Sequence, residues 1–194
     1  MNLLRKLYNW TLEKSKHPKA PWFLAIVSFS ESSFFPIPPD IILIPMIIAK
    51  RTKAWTLAMI CTISSVIGGI AGYFIGYLFY NSVGNMIVQY YDWDSQFDNF
   101  ETYYNNWGIW IVLGAGFTPF PFKFITIASG LFSLNLPLFI FVSFLARGLR
   151  FFIIAGLLKI FGDFITDLID RYFNLLATLF FVLLIVSFLL IKYL

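Results

Sequence analysis

Five ionisable side chains lie within stretches that are otherwise apolar: Glu31, Asp40, Lys123, Arg147 and Arg150. In hydrocarbon, each would cost at least about 2.5–3.5 kcal/mol if left uncompensated. Such groups pair with one another, face an internal cavity, or serve a ligand. Two acids and three bases leave one positive charge in excess. A cavity with that excess suits a monoanionic phosphate, and the planar fork of arginine matches phosphate oxygens. Lys123, Arg147 and Arg150 are therefore candidate phosphate-binding residues. Glu31 and Asp40 are candidate charge partners or proton-relay groups. Arg147 and Arg150 are three apart and share a helical face. The competing reading is structural, with both arginines bridging helices to Glu31 and Asp40. Proline breaks beside these charges favour function, because a purely structural ion pair needs no broken helix.

Other chemistry finds no support. The single histidine, His17, sits beside Pro18 in a basic segment, and the single cysteine, Cys61, sits in an apolar run. A lone Cys gives no disulfide framework or metal cage. No nucleophile–base set, phosphate-cradling glycine loop or metal-ligand cluster is present. Glu31 and Asp40 could form an acid–base pair, but no nucleophile or metal site adjoins them. The expectation is a protein that is not an enzyme, with no catalytic residue, metal or cofactor.

The elements that must position these charges are membrane spans. The 194 residues are 59% hydrophobic and only 12% charged, against about 25% charged in soluble domains. Residues 1–20 hold Arg5, Lys6, Lys14, Lys16 and Lys19 against Glu13 alone, and Lys50, Arg51 and Lys53 form a second basic cluster. Residues 81–106 hold Asp92, Asp94, Asp98 and Glu101 with no Lys or Arg. This asymmetry follows the positive-inside rule and argues topology, with no nucleic-acid partner. Residues 1–20 read as an amphipathic helix on the cytoplasmic leaflet, not a signal peptide. There the Asn9-Trp10-Thr11 sequon has no meaning.

Residues 22–49 match one span in length, yet Phe35-Pro36-Ile37-Pro38-Pro39-Asp40 cannot continue a helix. Both flanks are basic, so a segment that enters, turns at the prolines and returns keeps both inside. Residues 55–80 form an uncharged span in which Gly68, Gly72 and Gly76 recur at every fourth position, a helix-packing pattern. At the acidic segment 81–106, Tyr90, Tyr91, Trp93, Tyr103 and Tyr104, with Trp107 and Trp110 just after it, resemble an interfacial aromatic belt. Residues 107–134 are broken again at Thr118-Pro119-Phe120-Pro121-Phe122-Lys123. Pro36 falls on Pro119, Pro38 on Pro121 and Asp40 on Lys123 at a constant offset of 83. Interrupted hydrophobic segments at corresponding positions point to a transporter binding site. Spans at 137–158 and 175–191 complete the chain.

The expected fold is an all-α, polytopic helical bundle with two opposed re-entrant hairpins related by an internal inverted repeat. Their turns would lie at Pro36, Pro38 and Pro39, and at Pro119 and Pro121. The expected organisation is a basic segment at 1–20, a membrane domain at 21–160, and a polar segment with a last span at 161–194.

Three motifs in order carry a family resemblance: Glu31-Ser32-Ser33-Phe34-Phe35-Pro36-Ile37-Pro38-Pro39-Asp40, the glycine-rich run from Gly68 to Gly76, and Phe117-Thr118-Pro119-Phe120-Pro121-Phe122-Lys123 with Ala128-Ser129-Gly130. Over residues 20–160 the chain resembles the DedA superfamily, also called the VTT or SNARE-associated Golgi protein family, and most its YqaA-type bacterial branch. The resemblance implies paired re-entrant helices and movement of lipids between leaflets of a bacterial inner membrane. Implied cargo includes undecaprenyl phosphate and phospholipids, with proton coupling in some members. The family's acidic residues match Glu31 and Asp40. Many members carry two arginines around the second break; here Lys123 stands there, and Arg147 and Arg150 lie a span later. The leading expectation is a lipid translocase of the flippase or scramblase type, and a homo-oligomer is compatible with it. The alternatives are a proton- or ion-coupled small-solute transporter and a membrane scaffold.

Overall fold

The computed structural model describes residues 19–35, 37–90, 94–118 and 120–162. The amphipathic segment, Pro36, Pro119 and the span expected at 175–191 lie outside the described residues.

Among the described residues the chain is all-helical. Helix α1 spans Ala20–Ser33, α2 Asp40–Ala49, α3 Ala54–Phe79, α4 Asn85–Tyr90, α5 Asp94–Phe117 and α6 Phe122–Leu131. Helix α7 covers Leu136–Gly162. A 3-10 turn, Arg51–Lys53, links α2 to α3, and a π turn, Tyr80–Gly84, links α3 to α4.

The proline-rich segments break the chain where steric rules require it. Helix α1 closes with the amides of Phe34 and Phe35 both donating to Ser30 O. The Pro38-Pro39 pair cannot continue it, and Pro39, at φ −65°, starts α2 instead. Helix α5 ends at Phe117, and extended Pro121 (φ −62°, ψ 105°) precedes α6. A turn with Ser133 at φ 50° follows α6, and Asn135 Oδ1 caps α7 by accepting from Leu138 N at 3.1 Å.

Helix α3 is the central element. The short helices α1 and α6 pack against it along its glycines. A Cβ on Gly68 would overlap the Phe29 carbonyl of α1, one on Gly76 the Ile127 carbonyl of α6, and one on Gly130 of α6 the Tyr73 carbonyl of α3. Backbone thus meets backbone at both ends of one glycine stripe.

The apolar interior is divided. At one end Leu24, Ile42, Leu43, Met46, Ile47, Ala54, Leu57, Ala58, Cys61, Phe151, Ala155 and Leu158 pack together. At the other end Tyr73, Tyr104, Val112, Phe122, Leu134, Phe139 and Val142 do so. Tyr104 is therefore a core residue. Its hydroxyl shares a 2.9 Å hydrogen bond with Ser129 Oγ, so it does not join the interfacial belt that its aromatic neighbours predicted.

Helices α3 and α7 are long and apolar enough to cross a membrane. Their outward faces are apolar too. Trp55, Met59, Ile63 and Ile67 on α3, and Phe141, Leu145, Leu149, Ile153 and Leu157 on α7, form exposed stripes at every fourth position. Contiguous apolar surface of that extent is what lipid covers.

Candidate functional site

Between the two apolar cores, near the middle of α3 and α7, lies a layer of buried polar side chains. It contains Ser28, Glu31, Ser32 and Ser33 of α1, Thr62 and Ser65 of α3, Thr126 of α6, and Ser143 and Arg147 of α7. Unpaired polar groups at such depth are costly, so their partners define the site.

Glu31 and Arg147 form its centre. Arg147 Nη2 donates to Glu31 Oε2 at 2.6 Å, and the two side chains are 2% and 9% exposed. Arg147 Nε donates to Ser65 Oγ at 2.7 Å. The hydroxyls of Ser65 and Ser32 are 2.7 Å apart, and Ser32 donates to Glu31 Oε2 at 3.2 Å. The guanidinium lies over the Phe122 ring at 5.1 Å and the Phe151 ring at 4.8 Å, which adds cation–π attraction in a dry setting.

The second pair is Asp40 with Arg150, and it is closer to the surface, at 16% and 12% exposure. Arg150 also donates to the Thr118 carbonyl at the end of α5. Lys123 Nζ reaches the Phe34 carbonyl beyond α1 at 3.4 Å, and among the described residues it has no carboxylate partner.

These placements follow a rule of helix ends. A broken helix leaves carbonyls unsatisfied where it stops and N–H groups where it restarts. Here cations serve the stops: Lys123 at Phe34 and Arg150 at Thr118. The acids serve the restarts, where the helix dipole favours them. Asp40 opens α2, and Glu31 Oε1 accepts from Phe122 N of α6 at 3.4 Å. Lys123 and Glu31 each serve the break of the other half, whereas Asp40 and Arg150 serve the break in their own. Pro38, Pro39 and Pro121 stand at these breaks.

All five charges singled out in the sequence thus meet around the two breaks. The hydroxyls were missed. Ser28, Ser32, Ser65 and Thr126 tie the layer together, with Ser28 Oγ donating to Cys61 O at 2.8 Å and Thr126 Oγ1 to Ser32 O at 2.9 Å. Their four-residue spacing on α1 was the available signal. Two buried polar atoms, Asp40 Oδ1 and Ser143 Oγ, have no hydrogen-bond partner among the described residues. Among those residues no group of His, Cys, Asp and Glu could hold a metal ion.

The family model of the VTT domain matches residues 37–159. An uncharacterized protein of Haemophilus influenzae is 39% identical over 157 residues, covering 81% of this chain and 81% of its own. An uncharacterized protein of Histophilus somni is 32% identical over 157 residues, covering 81% of this chain and 82% of its own. No solved structure matches.

Proposed function

The chain belongs to the VTT domain family, a membrane protein of the DedA type, and from that premise we propose that it moves phosphate-bearing lipids between leaflets. The observation that carries the reading is the buried Arg147–Glu31 pair in the mid-bundle polar layer, with Arg150 and Lys123 beside it at the two helix breaks. A phosphate cannot cross hydrocarbon bare, because its desolvation penalty is large. Lys123, Arg147 and Arg150 would replace water around it while the acyl or prenyl tail stays in lipid. Undecaprenyl phosphate is the leading cargo, with phospholipids next. Glu31 and Asp40 would hold the arginines between cycles.

On this reading α1–α2 and the α5–α6 break are re-entrant hairpins entering from opposite faces, related by an inverted repeat. The protein is then a multi-pass protein of the bacterial inner membrane with its N-terminus in the cytoplasm, of the YqaA-type branch, and a homo-oligomer is compatible with it. No enzymatic step, cofactor or nucleic acid enters.

The test is purified protein in liposomes carrying a labelled polyprenyl phosphate or phospholipid, scored for leaflet exchange. Exchange faster than in protein-free vesicles is expected, and Arg147→Gln should reduce it without preventing membrane insertion. One feature favours a second reading, a proton- or ion-coupled small-solute transporter: the buried Asp40 Oδ1 is an acceptor with no partner among the described residues. Movement of a soluble ion without lipid exchange would put that reading first. Full activity after neutralising all five charges would leave a scaffold.

A further inference from the structure

The hydroxyl pair of Ser32 and Ser65 has a direction that its neighbours fix. Arg147 Nε carries a hydrogen and cannot accept, so Ser65 Oγ is the acceptor at 2.7 Å. The Ser65 proton is then left for Ser32 Oγ, 2.7 Å away, and the Ser32 proton goes to Glu31 Oε2 at 3.2 Å. Arg147 Nη2 closes the ring on the same oxygen at 2.6 Å. Every bond in this ring runs from the arginine towards the carboxylate. Ser32 and Ser65 are 0% exposed, so bulk solvent reaches neither.

Nε and Nη2 form one edge of the guanidinium, the side-on fork that grips two oxygens of one oxyanion. In this structure the two oxygen positions are filled by Glu31 Oε2 and Ser65 Oγ. We propose that Ser65 is a positioning residue of the ion-pair site, completing with Glu31 a resting stand-in for the two oxygens of a phosphate. Nε and Nη2 share one rigid plane, so swinging the fork away leaves both donors unpaired and takes the cation from Glu31 in a dry layer, while the Ser65–Ser32–Glu31 bonds remain. Arg147 therefore releases both oxygens together, to a ligand that presents two of its own. That ligand is an oxyanion with two free oxygens, taken here, on the transport reading, as a phosphate monoester or diester headgroup; a halide or hydroxide supplies one atom and cannot replace the pair.

The inference rests on the transport reading for its purpose but not for its test. The probe is dodecyl phosphate, titrated by calorimetry against detergent-solubilised full-length protein, with dodecyl maltoside as the uncharged control. Removing the stand-in frees the fork, so Ser65→Ala should bind the probe roughly five- to tenfold tighter than wild type, about the net worth of one ordinary hydrogen bond. Ser65→Thr keeps a hydroxyl and should match wild type. Ser32→Ala breaks the ring one step further away and should lie between, and Arg147→Gln should abolish binding. A Ser65→Ala protein that loses thermal stability and binds the probe no better than wild type overturns the proposal, as does absence of probe binding in every variant. Tighter binding in Ser65→Ala without lipid exchange in liposomes would sink the transport reading and leave this inference standing. Lipid exchange with unchanged probe affinity would do the reverse.

Discussion

The two ion pairs are unequal, and burial decides the difference. Glu31–Arg147 is almost fully enclosed, whereas Asp40–Arg150 is 16% and 12% exposed. Removing one member of a buried pair leaves an uncompensated charge, at a loss of about 3–5 kcal/mol. Arg147→Met should lose stability on that scale in detergent unfolding, and adding Glu31→Leu should restore most of it, because an apolar pair of similar volume has no desolvation penalty. Equal instability of the single and double variants would contradict the pairing. Arg150→Gln should cost less, roughly 1.5–3 kcal/mol, since that pair is less enclosed.

At the scale of elements, the architecture depends on α3 presenting a nearly bare backbone to α1 and α6. Gly68→Val would force its side chain into the Phe29 carbonyl, which is backbone and cannot rotate aside. It should separate α1 from α3, cost at least about 1–3 kcal/mol, and disrupt the Ser33 Oγ to Gly68 O bond at 2.9 Å. Gly114 of α5 is the control, because a Cβ there meets nothing within 4 Å. Gly114→Ala should be neutral or stabilise by up to about 1 kcal/mol, the helix-propensity gain. Thermal unfolding of both variants checks the contrast; similar losses would mean that the close approach is not what holds the helices.

For the whole molecule, the decisive question is which ends face which solvent. The basic 3-10 turn between α2 and α3 and the acidic start of α5 differ in charge sign, and the positive-inside rule assigns them to opposite sides. Single cysteines at the exposed positions Thr52 and Asn99, in a Cys61→Ser background, should report this with an impermeant thiol reagent. Position 99 should label in intact cells, and position 52 only after permeabilisation. Labelling of position 52 from outside would end the model of a first hairpin that returns to its side of entry.

Much of this protein is determined by local properties that a sequence displays directly. Hydropathy marks α3 and α7, read as 55–80 and 137–158 and found at Ala54–Phe79 and Leu136–Gly162. Proline sterics fix the breaks before Asp40 and Phe122, because each acts on its immediate neighbours. Burial of the charges in apolar runs is legible for the same reason. Tertiary structure alone decided which acid meets which arginine. Glu31 and Arg147 are 116 residues apart and Asp40 and Arg150 are 110 apart, and nothing local distinguishes that pairing from its exchange. The serine seam was equally hidden. A hydroxyl in an apolar helix can bond the carbonyl four residues back, as Ser30 does to Ile26 O and Thr62 to Ala58 O, so its presence demands no partner helix. Only the close approach of α1 to α3 put Ser32 against Ser65 and turned an ordinary residue type into part of the site.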